Sequence, residues 1–456
     1  MRHTTPSPPE DTTTLRRAAG VLGAHPWIAS AELSAGGAPL RVRPVPGALA
    51  VRPVPGALIA EHLGQWSEVY DWTYAQGAGR HSADLDLSGW RASGTGLPYP
   101  VEHMRDWLRH TVDVVLTARP RWVLELGCGT GMLLHRLMPR LEGYVGTDVA
   151  AESVRSVAAS APRGALIVRA AAHEVLSTSV AEALRTTGFP GGRPDCVLIN
   201  SVTQCFPNVA YLRAVIQDAL RLVAPGGTVI VGDVRHSGLL REHHRRLATT
   251  DTTGTAIEER VRRDEELLFD PVLLAGIAAE LGPEIGDAGI TVHAKTMRAG
   301  TELTRYRFDA VLHVPATDTP GAVGTAPETT AWTTLDAARD RLAAAPGLIT
   351  GIPNASLSPG HGSTAAALRD ALAGLDVLVT LDPHDPRLLE AGTRGSATRR
   401  ARDLAGPGTA HEPLPAFVRR RLTELARHEL RRAGLPLVPM DIDFDTDTGT
   451  EASHVD

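Results

Sequence analysis

Residues Trp122-Val-Leu-Glu-Leu-Gly-Cys-Gly-Thr-Gly131 decide how this chain is read, together with Asp148, 17 positions further on. An apolar run carrying the acid Glu125 leads into three alternating glycines, Gly127, Gly129 and Gly131. The apolar stretch Met132–Leu141 follows as a helix. Tyr144-Val-Gly-Thr-Asp148 reads as the next strand, with its acid at the carboxyl end. Glycines in such a turn bring backbone close to a ligand without a Cβ in the way. An acid ending the second strand of a βαβ unit can accept from both hydroxyls of a ribose. Strand, glycine turn, helix, strand and acid, in that order, supply the context that supports the motif.

The spacing Glu-x-Gly-x-Gly-x-Gly differs from the Gly-x-Gly-x-x-Gly of dinucleotide-binding turns. It resembles the S-adenosylmethionine (SAM) site of class I methyltransferases. That resemblance implies SAM as cofactor, with Glu125 holding the methionine ammonium and Gly127, Gly129 and Gly131 lining the methionine and ribose. Asp148 would take the ribose hydroxyls. In Ala172-His173-Glu174, just after the third strand, Glu174 is the favoured adenine contact. Asn200, Ser201 and Gln204, beyond the fourth strand, either face the methionine and methyl end or cap a turn, as Asn and Ser commonly do.

Composition bounds the rest. A chain of 456 residues with 43% hydrophobic content can bury a large core and suggests two or three domains. A net charge of −6 gives no reason to expect nucleic acid. Lys295 is the only lysine, so almost no site here can use a catalytic lysine. Cys128, Cys196 and Cys205 are too few for a disulfide framework or a typical zinc site, so no metal is expected. No signal-like segment opens the chain, and no run of about 18 apolar residues is present. A cytoplasmic protein that makes no membrane contact is the expectation.

Residues 121–234 alternate strands (Trp122–Leu126, Tyr144–Asp148, Ala165–Arg169, Asp195–Ser201, Thr228–Val234) with helices, which implies a parallel doubly wound sheet. Ile290–Lys295 and Tyr306–Val314 read as a closing hairpin, completing the α/β seven-stranded Rossmann-like sheet of methyltransferases. The methyltransferase core is thus expected over 121–314, with a helical insert at 237–289. Residues 61–120, holding Trp66, Trp72, Trp90 and Trp107, form an N-terminal helical substrate cap, and 315–400 an α/β extension. Residues 1–12 are expected to be disordered. Residues 13–60 and 401–456 make small α+β terminal segments, the latter with a helix Ala416–Arg432 and an acidic tail. Val42-Arg-Pro-Val-Pro-Gly-Ala-Leu49 recurs as Val51–Leu58, a tandem duplication that reads as a lengthened loop.

Further stretches narrow the resemblance. Asp86-Leu-Ser-Gly-Trp-Arg-Ala-Ser93, Leu97-Pro-Tyr-Pro-Val-Glu-His-Met104, Val197–Pro207, Gly232-Asp-Val-Arg235, Arg263–Pro271, Thr301–His313 and Thr350–Asn354 are similar to the methyltransferase domains embedded in nonribosomal peptide synthetases. Two positions depart from that family: Gly94 stands where an aromatic is usual, and Cys205 where Tyr is common. Leu15–Pro46 and Arg421–Asp456 resemble the two ends of an adenylation enzyme's small C-terminal subdomain. These ends are either a split, non-catalytic remnant or ordinary extensions.

The resemblance implies a SAM-dependent methyltransferase of nonribosomal peptide or other natural-product biosynthesis. Its substrate would be an aminoacyl amine, carrier-tethered or free, and a carrier or adenylation protein a possible partner. O- or C-methylation of a related small molecule remains open, because fold does not decide among them. So does a non-catalytic carrier- or adenylation-binding role. Gly360-His-Gly-Ser363 weakly resembles a carrier-protein serine motif. Ligands of open α/β sheets collect beyond the carboxyl ends of strands. This places Asp233, Arg235 and His236 at the reaction, with Asp233 positioning or deprotonating the amine. Arg235 has a structural alternative, pairing with a carboxylate. Tyr70, Tyr74, Trp90 and Ser93 are candidates to roof the acceptor.

Overall fold

A computed structural model describes residues 12–34, 39–77, 84–248, 253–316, 327–358, 360 and 362–443. The expectations for residues 1–11, for most of the linker at 317–326 and for the tail at 444–456 fall outside the described residues, as does His361 of the serine motif.

The chain divides into two compact units, one from residues up to Gly64 together with those from Pro413 on, the other Gln65–Glu412. In the first, helix α1 (Thr12–Gly23) packs on strand β1 (Ile28–Leu33). β1 pairs antiparallel with β2 (Leu40–Pro44), and Met440–Ile442 adds to β2 in parallel. In the helix Leu414–Arg432, Arg421 lies over the Trp27 ring at 5.7 Å and pairs with Glu61. The duplicated octapeptide takes two structures. Its first copy ends β2 and makes the turn Pro46–Leu49, and its second runs as a loop into helix α2 (Ala57–Gly77). A Cβ on Gly56 would fall 2.1 Å from the carbonyl oxygen of Gly47, so the copies pack backbone on backbone where only glycine fits.

The larger unit holds residues 65–77 of α2 and then α3 (Val101–Thr117). Strands β3 (Trp122–Leu126), β4 (Gly143–Asp148), β5 (Ala165–Arg169), β6 (Cys196–Asn200) and β7 (Thr228–Arg235) are all parallel. Helices α4 (Met132–Leu137), α5 (Ala151–Ser160), α6 (Thr178–Thr187) and α7 (Val209–Leu222) alternate with them. β4 and β6 are buried along their whole length, as strands covered on both faces should be. Asn208 starts α7 by accepting from the Tyr211 N–H at 2.9 Å, which satisfies a donor the helix cannot.

The insert expected at 237–289 contains α8 (Leu240–Leu247), α9 (Gly254–Arg262), the short strand β8 (Leu268–Phe269) and α10 (Pro271–Glu280). Asp270 caps α10, with Pro271 at its first position. β10 (Arg307–His313) then pairs antiparallel with β7, and β9 (Gly289–Ala294) antiparallel with β10, closing the sheet. The order β5-β4-β3-β6-β7-β10-β9 is the expected seven-stranded arrangement. The sheet does not stop there. β11 (Thr329–Ala331), β12 (Leu348–Pro353), β13 (Val377–Leu381) and β14 (Leu388–Thr393) continue it, joined to β9 by the pairing of Thr380 with His293.

Candidate active site

The glycine turn is held open by its neighbours. Gly127, Gly129 and Gly131 have φ of +76°, +52° and +79°, in the left-handed region that costs other residues about 1–2 kcal/mol each. The N–H groups of Gly127 and Cys128 both donate to the Thr147 carbonyl, at 2.7 and 2.9 Å. The Gly129 N–H donates to one oxygen of Asp148 at 2.8 Å, and the Ala150 N–H to the other at 2.9 Å. The room left by the absent side chains is not simply vacant. A Cβ on Gly127 would fall 2.3 Å from Val202, one on Gly131 3.0 Å from Val157, and one on Gly129 3.2 Å from the Tyr74 hydroxyl. Two of the three glycines therefore serve packing as well as backbone conformation.

Glu125 is 2% exposed and accepts from the Tyr144 hydroxyl. Burial pushes its carboxyl up to about 8, against the donation from Tyr144. Asp148 is also raised by burial, while the Ala150 and Gly129 N–H groups oppose the shift. Both acids would gain from a cationic or hydroxylic ligand in a way an exposed carboxylate would not.

At the ends of β6 and β7 the backbone is strained. Ser201 and Asp233 have φ of +56° and +61°, which places both among the few non-glycine residues in the left-handed region. Ser201 Oγ donates to Asp233 Oδ2 at 2.8 Å. Asn200 Nδ2 donates to Ser201 Oγ at 3.2 Å, while its buried Oδ1 has no partner. Gln204 Nε2 closes the loop onto the Ser201 carbonyl at 2.7 Å.

Asp233 is wholly buried and takes four donors. Oδ1 receives Trp107 Nε1 at 3.0 Å and faces Lys295 Nζ at 3.1 Å; Oδ2 receives Ser201 and Arg307 Nη1, the latter at 2.5 Å. Burial would raise its carboxyl, but Arg307 and Lys295 outweigh that and hold it down at about 2. Asp309 extends the cluster, accepting from Lys295 at 2.6 Å and from the Asp233 N–H at 2.8 Å, with His110 Nε2 at 2.8 Å. These four donors hold Asp233 in place and stabilise its ionised form, so it suits positioning better than proton abstraction.

Arg235 pairs with Asp264 at 2.9 Å and Glu266 at 2.8 Å, and its side chain is 10% exposed, which is the carboxylate-paired alternative of the sequence. His236 is buried. Its Nδ1 accepts from the Gly238 N–H at 3.1 Å, its ring packs edge-on against Phe308, and burial lowers it to about 4. The Glu174 carboxylate turns back to the Ala171 N–H at 2.7 Å, closing its own short turn, while His173 Nδ1 lies 2.7 Å from the Tyr211 hydroxyl.

The four aromatic and hydroxyl candidates fall into two groups. Tyr70 and Tyr74 stack in a ladder with Trp66, and Tyr74 lies over Gly129, on the glycine turn. Cys205 Sγ approaches the Tyr70 hydroxyl at 3.8 Å. Trp90 packs on Trp107 at 4.4 Å, and Ser93 donates to Glu302 through its N–H at 2.9 Å and Oγ at 3.1 Å. Gly94 stands 3.0 Å, measured from a Cβ built there, from Leu247 of α8, so the insert occupies room an aromatic would need. Sequence reasoning passed over Trp107, Tyr144, Lys295, Glu302, Arg307 and Asp309. The one available signal was Lys295, a lone lysine in a chain whose other basic residues are all Arg.

Residues 124–229 match a family of methyltransferase domains. The chain carries a SAM-dependent methyltransferase domain. It is similar to a probable nonribosomal peptide synthetase of Salinispora arenicola, 36% identical over 323 residues, covering 70% of this chain and 4% of that protein. Chondramide synthase of Chondromyces crocatus is 31% identical over 268 residues, 57% of this chain and 7% of that one. The chain thus spans a small part of the length of these relatives. Among solved structures, a magnesium protoporphyrin IX methyltransferase from Synechocystis with bound SAM has a TM-score of 0.35 at 14% identity, covering 56% of this chain and 97% of that one. The fold assignment rests on the strand order above, not on that likeness.

The residues present fit SAM. The glycine turn sits at the carboxyl ends of β3 and β4, Asp148 stands beside it, and the buried Asn200 Oδ1 is an acceptor in want of a donor. Asp148 would hold the ribose and Glu125 the methionine ammonium, directly or through water.

Proposed function

We propose that this protein N-methylates the α-amine of an aminoacyl group, most naturally one tethered to a carrier protein in nonribosomal peptide assembly, in the cytoplasm. The observation supporting this is the extent of the likeness to peptide synthetases. It runs over 323 residues, whereas the methyltransferase family match covers 124–229, so it extends well beyond that match. Free thiols at Cys128, Cys196 and Cys205 suit a reducing compartment, and no helix among the described residues is long and apolar enough to cross a membrane.

SAM supplies a methyl group already activated by the sulfonium. The chain's task is to bring a neutral nitrogen into line about 3 Å from it and keep water out, which removes the entropy of encounter. Asp233, fixed by Trp107, Lys295, Ser201 and Arg307, orients groups at the carboxyl edge of β7. Trp90, packed at a tilt against Trp107, walls the acceptor side.

Incubation with SAM and a panel of aminoacyl carrier proteins and free amines, with products read by mass spectrometry, tests this reading. A methyl group on nitrogen is the expected product. Methylation on oxygen or carbon would overturn the N-specific reading. Titration calorimetry showing no SAM binding at tens of micromolar would favour a carrier-binding role instead.

A further inference from the structure

Amine methylation leaves a proton to place. The nitrogen lone pair forms the N–C bond and the C–S pair returns to sulfur, so an acceptor arriving as ammonium must first lose a proton to a nearby base. Asp233 is a poor choice, since four donors already occupy its oxygens. Arg235 locks Asp264 and Glu266. His236 has a free Nε2, but its ring is buried edge-on against Phe308.

Glu302 differs. It lies in the turn Glu302–Arg305 that leads into β10, whose first residue, Arg307, pairs in register with Arg235 at the carboxyl end of β7. Glu302 therefore stands at the same edge of the sheet as Asp233 and Ser201. Its Oε1 accepts from the Tyr99 hydroxyl, the Ser93 N–H and Ser93 Oγ, which fixes the carboxylate. Its Oε2 faces His243 Nε2 at 3.9 Å, too far for a hydrogen bond. The segment that supplies Ser93 and Tyr99 also supplies Trp90, which packs at a tilt against Trp107, the indole donor to Asp233. One stretch of chain thus links Asp233 to Glu302 along a single wall.

We propose that Glu302 Oε2 binds the acceptor amine and takes its proton, and that His243 Nε2 receives that proton from Glu302. This rests on the amine reading given above. The pair is suited to it. The donors on Glu302 outweigh burial and hold it below the usual range, and burial with Arg235 lowers His243 to about 4, so both are deprotonated with a lone pair available. Neither retains the proton, which passes on to solvent. What sets Glu302 apart from Asp233 is that its three donors all fall on Oε1 and leave Oε2 for the amine. Arg307 and Tyr99 face Glu302, while Arg235, His244, Asp264 and Tyr306 face His243. Glu302 Oε1 and the ring of His243 are already placed, so binding orders little.

The test uses the full chain, SAM and the N-acetylcysteamine thioesters of a panel of amino acids. Glu302→Gln keeps an acceptor for Ser93 and Tyr99 but removes the base. SAM affinity should stay within about twofold, while kcat/KM for the thioester falls about 100-fold or more, a general-base effect. Raising the pH until the free amine is neutral should restore part of the loss. His243→Gln should lower kcat about tenfold with little change in KM. Wild-type kcat/KM in Glu302→Gln would overturn the proposal, as would a loss matched by lost SAM binding. If the wild-type chain binds SAM and methylates none of the probes, the amine reading fails and this inference with it; if it methylates them and Glu302→Gln equals it, only this inference fails.

Discussion

Ser201 just after β6 and Asp233 near the carboxyl end of the neighbouring parallel β7 are both in left-handed backbone, and Ser201 Oγ donates to Asp233 Oδ2 at 2.8 Å. Strain at two such neighbouring positions persists only where surrounding contacts over-determine it. Here Lys295, Arg307 and Trp107 supply those contacts.

Asp233→Asn should therefore act first on stability. It leaves the buried Lys295 and Arg307 facing a neutral amide, and breaking a buried pair from one side costs about 3–5 kcal/mol. Urea unfolding should show a lower midpoint with an unchanged slope. Below the folded transition, SAM affinity should change little while turnover falls. For the wild type, the sign follows from the depressed carboxyl. Its share of stability is present above pH 3.8 and lost as pH falls through about 2, measurable by acid unfolding.

Asp148→Ala should weaken SAM binding by about 100- to 10,000-fold. The loss is that of hydrogen bonds from ribose hydroxyls to a charged acceptor, each worth about 1.5–3 kcal/mol. Calorimetric titration measures it, and a variant that bound SAM like the wild type would remove Asp148 from the site.

Glu125 makes the ligand-free protein pH-sensitive. With its carboxyl raised from 4.5 to about 8, the folded state holds a proton that the unfolded chain gives up, so this group's contribution to stability falls as pH rises from 4.5 to 8. A cationic methionine end favours the ionised form, so SAM binding should release a proton and tighten with pH across the same window, by at most about tenfold per unit. Titration in buffers of different ionisation enthalpy counts that proton. Glu125→Gln should abolish both the release and the pH dependence.

Among the turn glycines, Gly127→Ala should destabilise more than Gly129→Ala. Both incur the left-handed cost of about 1–2 kcal/mol. Gly127 adds a clash, its Cβ 2.3 Å from Val202, whereas Gly129 meets only the movable Tyr74 hydroxyl at 3.2 Å. Val202→Ala should rescue Gly127→Ala in part, and thermal denaturation of the four-variant cycle reads the coupling.

Much of this molecule was legible from its residues. Three glycines between an apolar run and a helix, then an acid ending the next strand, point to one turn at one edge of a parallel sheet, because backbone sterics and side-chain period are local. The alternation through residue 234 and the hairpin after it yield the strand order for the same reason. Illegible were contacts between residues far apart in the chain. Trp107 reaches Asp233 across 126 positions, Ser93 reaches Glu302 across 209, and Lys295 sits between Asp233 and Asp309, although its rarity hinted at a special place. The turn that Glu174 closes on the Ala171 N–H was equally illegible as a choice of role, because a carboxylate three residues from a backbone N–H serves a local cap as readily as a ligand.

The duplicated octapeptide shows the limit most plainly. Val42–Leu49 and Val51–Leu58 have the same sequence, yet one ends a strand and the other starts a helix. By itself the sequence determined the local conformations that glycine, apolar period and strand-end acids allow, and from them the class of chemistry. Tertiary packing decided which copy became strand, which acid stayed ionised and which carboxylate kept an open oxygen, because burial and long-range pairing, not neighbours in the chain, set those energies.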